Sequence, residues 1–85
     1  MTRDEIKSDI LRLFTEEFEI EAPGLDDDLG IMHAFDSIDA IDLLREIEIM
    51  LDTELSIDEK DQAMTLRTIN QILDYIELLS ATRNK

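Results

Sequence analysis

Asp36-Ser37-Ile38-Asp39-Ala40-Ile41-Asp42-Leu43 is the stretch on which the fold of this chain turns. An aspartate followed by serine has the form of a helix start. The side chain of an N-cap aspartate accepts one of the N–H groups that a helix leaves without an internal partner. From Ser37 the pattern runs to about Leu51, with Leu43, Leu44, Ile47 and Leu51 spaced by three and four, so that one stripe faces a core. Taken alone, Asp36 and Ser37 read as an ordinary cap and a first-turn serine.

Upstream, a helix is predicted from about Arg3 to Phe18. Thr2 and Glu5 have the spacing of a capping box, and Ile6, Ile10, Leu13, Phe14 and Phe18 fall on one stripe. Arg3, Lys7 and Arg12 lie off that stripe, towards solvent. Ala22-Pro23-Gly24 ends the pattern. A long irregular stretch then reaches Phe35, carrying Asp26-Asp27-Asp28 and Gly30. A loop of this length in a small domain is functional or held down by its own apolar residues, here Leu25, Leu29, Ile31 and Phe35.

Downstream, Ser56 and Glu59 repeat the capping-box spacing and open a short helix near Asp58 to Met64. Thr68 and Gln71 repeat it once more, before a last helix running to about Leu79 with Ile69, Ile72, Leu73, Ile76 and Leu79 inward. The expectation is an all-α single domain over residues 1–85. It is a small four-helix bundle of three longer helices and one short one, with a long first loop.

Composition narrows the function. The chain has 85 residues, 44% of them hydrophobic, enough for one small core and too few to enclose a deep active site. Its aromatic residues are Phe14, Phe18, Phe35 and Tyr75, so aliphatic side chains do most of the packing. There is no cysteine, which excludes disulfides, thiolate metal sites and a cysteine nucleophile. Net charge is −14, a balance that repels nucleic acid and anionic lipid and favours partners with positive surface. No Lys or Arg occurs between Leu13 and Leu44, where ten acids do. No apolar run approaches a membrane span and the start lacks an apolar leader segment, so the expected location is the cytoplasm and the expected state a monomer without membrane insertion.

Nothing points to chemistry of the chain's own. His33 is the lone histidine and reads as a loop residue. The Asp26-Asp27-Asp28 cluster fails as an EF-hand: counting from Asp26, Ile31 takes the position of the invariant glycine and Ser37 that of the bidentate glutamate. No metal site is expected.

The run from Asp36 to Leu43 resembles the acyl carrier signature Asp-Ser-Leu-Asp-x-Val-Glu-Leu, each difference an exchange of like for like. The resemblance continues through Leu51-Asp52-Thr53-Glu54-Leu55, Leu66-Arg67-Thr68-Ile69 and Leu73-Asp74-Tyr75-Ile76, and covers nearly the whole chain. It implies a non-enzymatic carrier protein whose Ser37 bears a covalent 4′-phosphopantetheine arm taken from coenzyme A, with the arm's thiol forming thioesters. The phosphodiester would sit at the positive end of the helix. It further implies recognition through Asp36, Asp39, Asp42 and Glu48. The partners are a phosphopantetheinyl transferase, an acyl- or aminoacyl-loading ligase and downstream synthase and transferase enzymes with basic docking surfaces. The acyl chain is expected between the second and fourth helices, against Ile41, Leu44, Ile69 and Ile72.

The match also has departures. Met32-His33-Ala34-Phe35 stands where fatty-acid carriers place Asp-Leu-Gly-Ala, and the apolar residue two places before the serine is more like carriers of D-alanine or other amino acids. Arg45 replaces a residue that is often apolar, and Ile49 and Met50 replace acids. The expectation is a specialised acyl carrier in fatty acid or other lipid metabolism. The alternatives are an aminoacyl carrier and an unmodified acidic interaction module.

Overall fold

Side-chain caps set where the helices begin. The computed structural model describes residues 2–21 and 23–83. Helix α1 (Arg3–Glu17) opens on the expected capping box: Thr2 Oγ1 accepts the Glu5 N–H and Glu5 accepts the Thr2 N–H. Helix α3 (Ser37–Leu51) opens on Asp36, and α4 (Ile57–Ala63) on a Ser56–Glu59 box. At α5 (Ile69–Arg83) only half the expected box forms. Thr68 accepts the Gln71 N–H, but the Gln71 side chain accepts from Arg67 N–H at 2.6 Å.

The structure adds one element that sequence periodicity did not show. Residues Leu29–His33 form a short helix, α2, inside the first loop, with Asp28 as its N-cap accepting the Ile31 N–H at 3.0 Å. This corrects the expected anchors of that loop. Leu29 is buried, and Leu25 and Phe35 pack against the core, but Ile31 is 85% exposed. In a helix a residue two positions on points roughly the opposite way, so Leu29 and Ile31 cannot both face inward. The expected breaker Ala22-Pro23-Gly24 lies partly outside the described residues at Ala22; Pro23 is buried.

The core joins α1, α3 and α5. Ile6, Ile10 and Phe14, Leu43, Leu44 and Ile47, and Ile69, Ile72, Leu73 and Ile76 belong to one buried cluster, and no polar or charged described residue is buried. Tyr75, on α5, is buried but donates its hydroxyl to the Glu59 carbonyl at 2.5 Å, satisfying its polar end and tying α5 to α4. Arg3 bridges α1 to Asp74 and Glu77 on α5.

The first loop is fastened to the start of α5. Leu29 N–H donates to the Arg67 carbonyl at 2.8 Å, Asn70 N–H to the Leu25 carbonyl at 3.0 Å, and Asn70 Nδ2 to Asp26 Oδ1 at 2.7 Å. Among the described residues, three non-glycine residues close helices in left-handed backbone: Glu19 (φ 57°) after α1, Ala34 (φ 56°) after α2 and Asp52 (φ 51°) after α3. No described helix is long and apolar enough to cross a membrane.

Candidate functional site

The serine of the deciding stretch sits at the exposed first turn of α3. Its position is fixed from both sides. Asp36 Oδ1 accepts the Asp39 N–H at 3.0 Å, and Asp39 Oδ2 accepts the Asp36 N–H at 3.2 Å, a reciprocal box built from two aspartates. Just upstream, Phe35 stacks on Phe14 with ring centroids 5.2 Å apart, and Phe18 meets both rings edge-on. That cluster pins the chain leading into Ser37 onto α1. The Ser37 hydroxyl and the Ser37 and Ile38 N–H groups bond to no described residue, so the first turn of α3 presents free donors beside an accessible oxygen.

The four acids named from sequence do not share one situation. Asp36 and Asp39 are engaged in capping, and Glu48 Oε2 accepts the Leu55 N–H at 2.9 Å, holding the turn after α3. Asp42 is exposed and bonds to no described residue. Capping by Asp39 is one feature that sequence reasoning missed. Its signal was present in the three-residue separation of Asp36 and Asp39, but the usual box partner is the longer Glu or Gln.

The residues expected around an acyl chain also divide. Ile69 and Ile72 are fully buried and Leu44 nearly so, while Ile41 is 53% exposed. Ile41 and Leu44 line a cleft of about 420 Å³ between α3 and α4, together with Arg45, Glu48, Lys60 and Met64. Ile69 and Ile72 do not reach it; they belong to the closed core behind. Of the two apolar replacements on α3, Met50 packs against the core and Ile49 stands 67% exposed.

The aspartates of the acidic loop are engaged in hydrogen bonds of the fold. Asp26 holds Asn70 and Asp28 caps α2. Asp27 Oδ2 accepts the Gly24 N–H at 2.9 Å and pairs with His33 Nε2 at 3.1 Å. The His33 contact, followed by the Gly24 N–H, holds the Asp27 carboxyl below the usual aspartate range. Among the described residues no group of acids or histidines is arranged to hold a metal ion.

Comparison with known proteins gives one match. The family model for the phosphopantetheine attachment site fits residues 8–76, a span that includes α2, α3, α4, most of α1 and the first half of α5. No curated protein and no solved structure matches the chain. Carriers of this family act with phosphopantetheinyl transferases and synthase enzymes. The helical bundle, the exposed serine turn and the match over most of the chain agree, and the chain belongs to the phosphopantetheine attachment site family, as a non-catalytic carrier of covalent 4′-phosphopantetheine.

Proposed function

We propose that the arm is attached at Ser37 and that the chain is a specialised acyl carrier, passing thioester-bound acyl intermediates between separate biosynthetic enzymes of the cytoplasm. The observation that carries this reading is the exposed, unbonded Ser37 hydroxyl on the first turn of α3 in a chain of the attachment family. A modifying enzyme can reach it without unfolding anything. Asp36, Asp39, Asp42 and Glu48 would meet basic surfaces on the transferase, the loading ligase and the downstream synthases. Such charge contacts speed encounter and fix orientation, and they release after each step. Arg45 and the exposed Ile49 give α3 a face of its own, which favours dedicated partners over a general fatty-acid role.

An acyl chain would enter beside Ile41 and Leu44, where the α3–α4 cleft is already open, and reach Ile69 and Ile72 only if the aliphatic core parts. The decisive experiment incubates the purified protein with coenzyme A and a broad-specificity phosphopantetheinyl transferase. One arm's mass should be added, and none to Ser37→Ala. No mass gain, or a gain that survives Ser37→Ala, removes the assignment.

A second reading, an aminoacyl carrier of the D-alanyl kind, is favoured by Phe35 two places before the serine. Offering the holo protein to adenylating ligases with acyl and aminoacyl substrates separates the two by which one loads it.

A further inference from the structure

Among the described residues, Arg67 is the lone basic residue on the pocket that holds Ser37. The pocket, about 210 Å³, has Leu29, Phe35 and Met64 as apolar walls and Asp36, Ser37 and Arg67 as its polar members. No Lys or Arg occurs from Leu13 to Leu44, and His33, the nearest base along the chain, is already paired with Asp27. The Arg67 guanidinium bonds to no described residue, while its backbone is held on both sides. Its carbonyl accepts the Leu29 N–H, and its N–H donates to Gln71. The root of this side chain is thus fixed relative to α2 and α5, and its charge is left open.

A phosphodiester on Ser37 Oγ would place a negative charge beside Asp36 and Asp39, whose carboxylates are committed to the cap and cannot move away without breaking it. The free Ser37 and Ile38 N–H groups offset part of that repulsion. A guanidinium is suited to the rest. It stays charged, it is weakly hydrated, and its planar fork can donate to two oxygens of one phosphate. We propose that Arg67 is the phosphate-binding cation of this carrier, closing on the phosphodiester and holding the root of the arm over the Leu29–Phe35–Met64 wall. Met64 borders both this pocket and the α3–α4 cleft, so an arm held at Arg67 is directed past Met64 towards Ile41 and Leu44.

The proposal rests on attachment at Ser37, and the test keeps the two apart. Wild-type protein, Arg67→Gln and Arg67→Lys are loaded to completion, with loading followed by mass. The ³¹P signal of each holo form is then compared with the same form unfolded in urea, and the Arg67 Nε–H resonance of the wild type is recorded before and after loading. The wild-type ³¹P signal should differ between folded and unfolded states. Arg67→Gln should lose most of that difference and Arg67→Lys should recover part of it, and the Nε–H resonance should move on loading. The Arg67 side chain makes no hydrogen bond or ion pair with a described residue, and helical content measured on each variant verifies that the fold is intact. Full mass gain with a ³¹P signal unaffected by Arg67→Gln, or an Nε–H resonance unmoved by loading, overturns the role of Arg67 alone. Absence of mass gain in the wild type removes the Ser37 reading and this one with it.

Discussion

Asp36 is both the cap of α3 and the acid next to Ser37, and two substitutions separate those functions. Alanine removes the Oδ1 acceptor that takes the Asp39 N–H at 3.0 Å, together with the charge. Asparagine removes the charge and keeps the acceptor. Loss of an N-cap aspartate costs about 1 kcal/mol, whereas Asn and Asp cap almost equally well. In a domain of this size, a loss of that order lowers Tm by roughly 4–8 °C. Asp36→Ala should melt lower by that amount, and Asp36→Asn should melt with the parent. Asp39→Ala removes the reciprocal bond, so the double alanine variant should lose less than the sum of the two single losses. Both Asp36 variants should weaken binding to a basic partner equally, because both lack the charge. Thermal melts by circular dichroism and titration against the phosphopantetheinyl transferase measure the two effects separately. If Asp36→Asn loses as much stability as Asp36→Ala, the cap is not what Asp36 contributes. If Asp36→Asn binds as tightly as the parent, its charge is not read.

Three further outcomes are expected. Asp42→Lys should leave Tm unchanged or raise it, since Asp42 bonds to no described residue, while partner affinity falls; a stability loss would reveal a contact the fold does not show. Phe14→Ala, at the centre of the three-ring cluster, should cost about 3–5 kcal/mol, a large share of the roughly 5–15 kcal/mol available to a typical domain, as read from the urea midpoint. The Asp27 carboxyl titrates below its ordinary 3.8 in the fold, so its contribution is in place above that value and is lost as pH falls through the lowered one; Asp27→Asn should therefore flatten the acid limb of the stability profile below about pH 4, and an unchanged limb would show that Asp27 is not held low by its contacts.

The sequence made the long elements readable for a simple reason. Thr2–Glu5 and Ser56–Glu59 are literal capping boxes, and Ile69, Ile72, Leu73, Ile76 and Leu79 keep helical spacing and are all buried. Helix α2 has five residues, fewer than two turns, so there was no period to detect, and Ile31 was misplaced as a result. At the site, the exposed serine turn followed from the Asp36-Ser37 pair. The Glu48 bond to Leu55 N–H did not, because it spans seven residues and depends on how the chain turns after α3. Met64 and Arg67 escaped for a related reason. Their place beside Ser37 is set by the packing of α4 and the start of α5 against α3, which no local pattern encodes.

The left-handed closures after α1, α2 and α3 have a kinetic consequence. Glycine is the usual residue at such joints, and a side chain there costs on the order of 1 kcal/mol or more. Glu19, Ala34 and Asp52 carry that strain, while neither glycine of the chain adopts a positive φ. Strained joints lower the free energy of local opening relative to global unfolding. Two of them, at Ala34 and Asp52, bracket α3. Amide hydrogen exchange should accordingly be faster at the two ends of the serine-bearing helix than in its middle or in the middle of α5. The helix that carries Ser37 is then suspended between two compliant joints over a more rigid core.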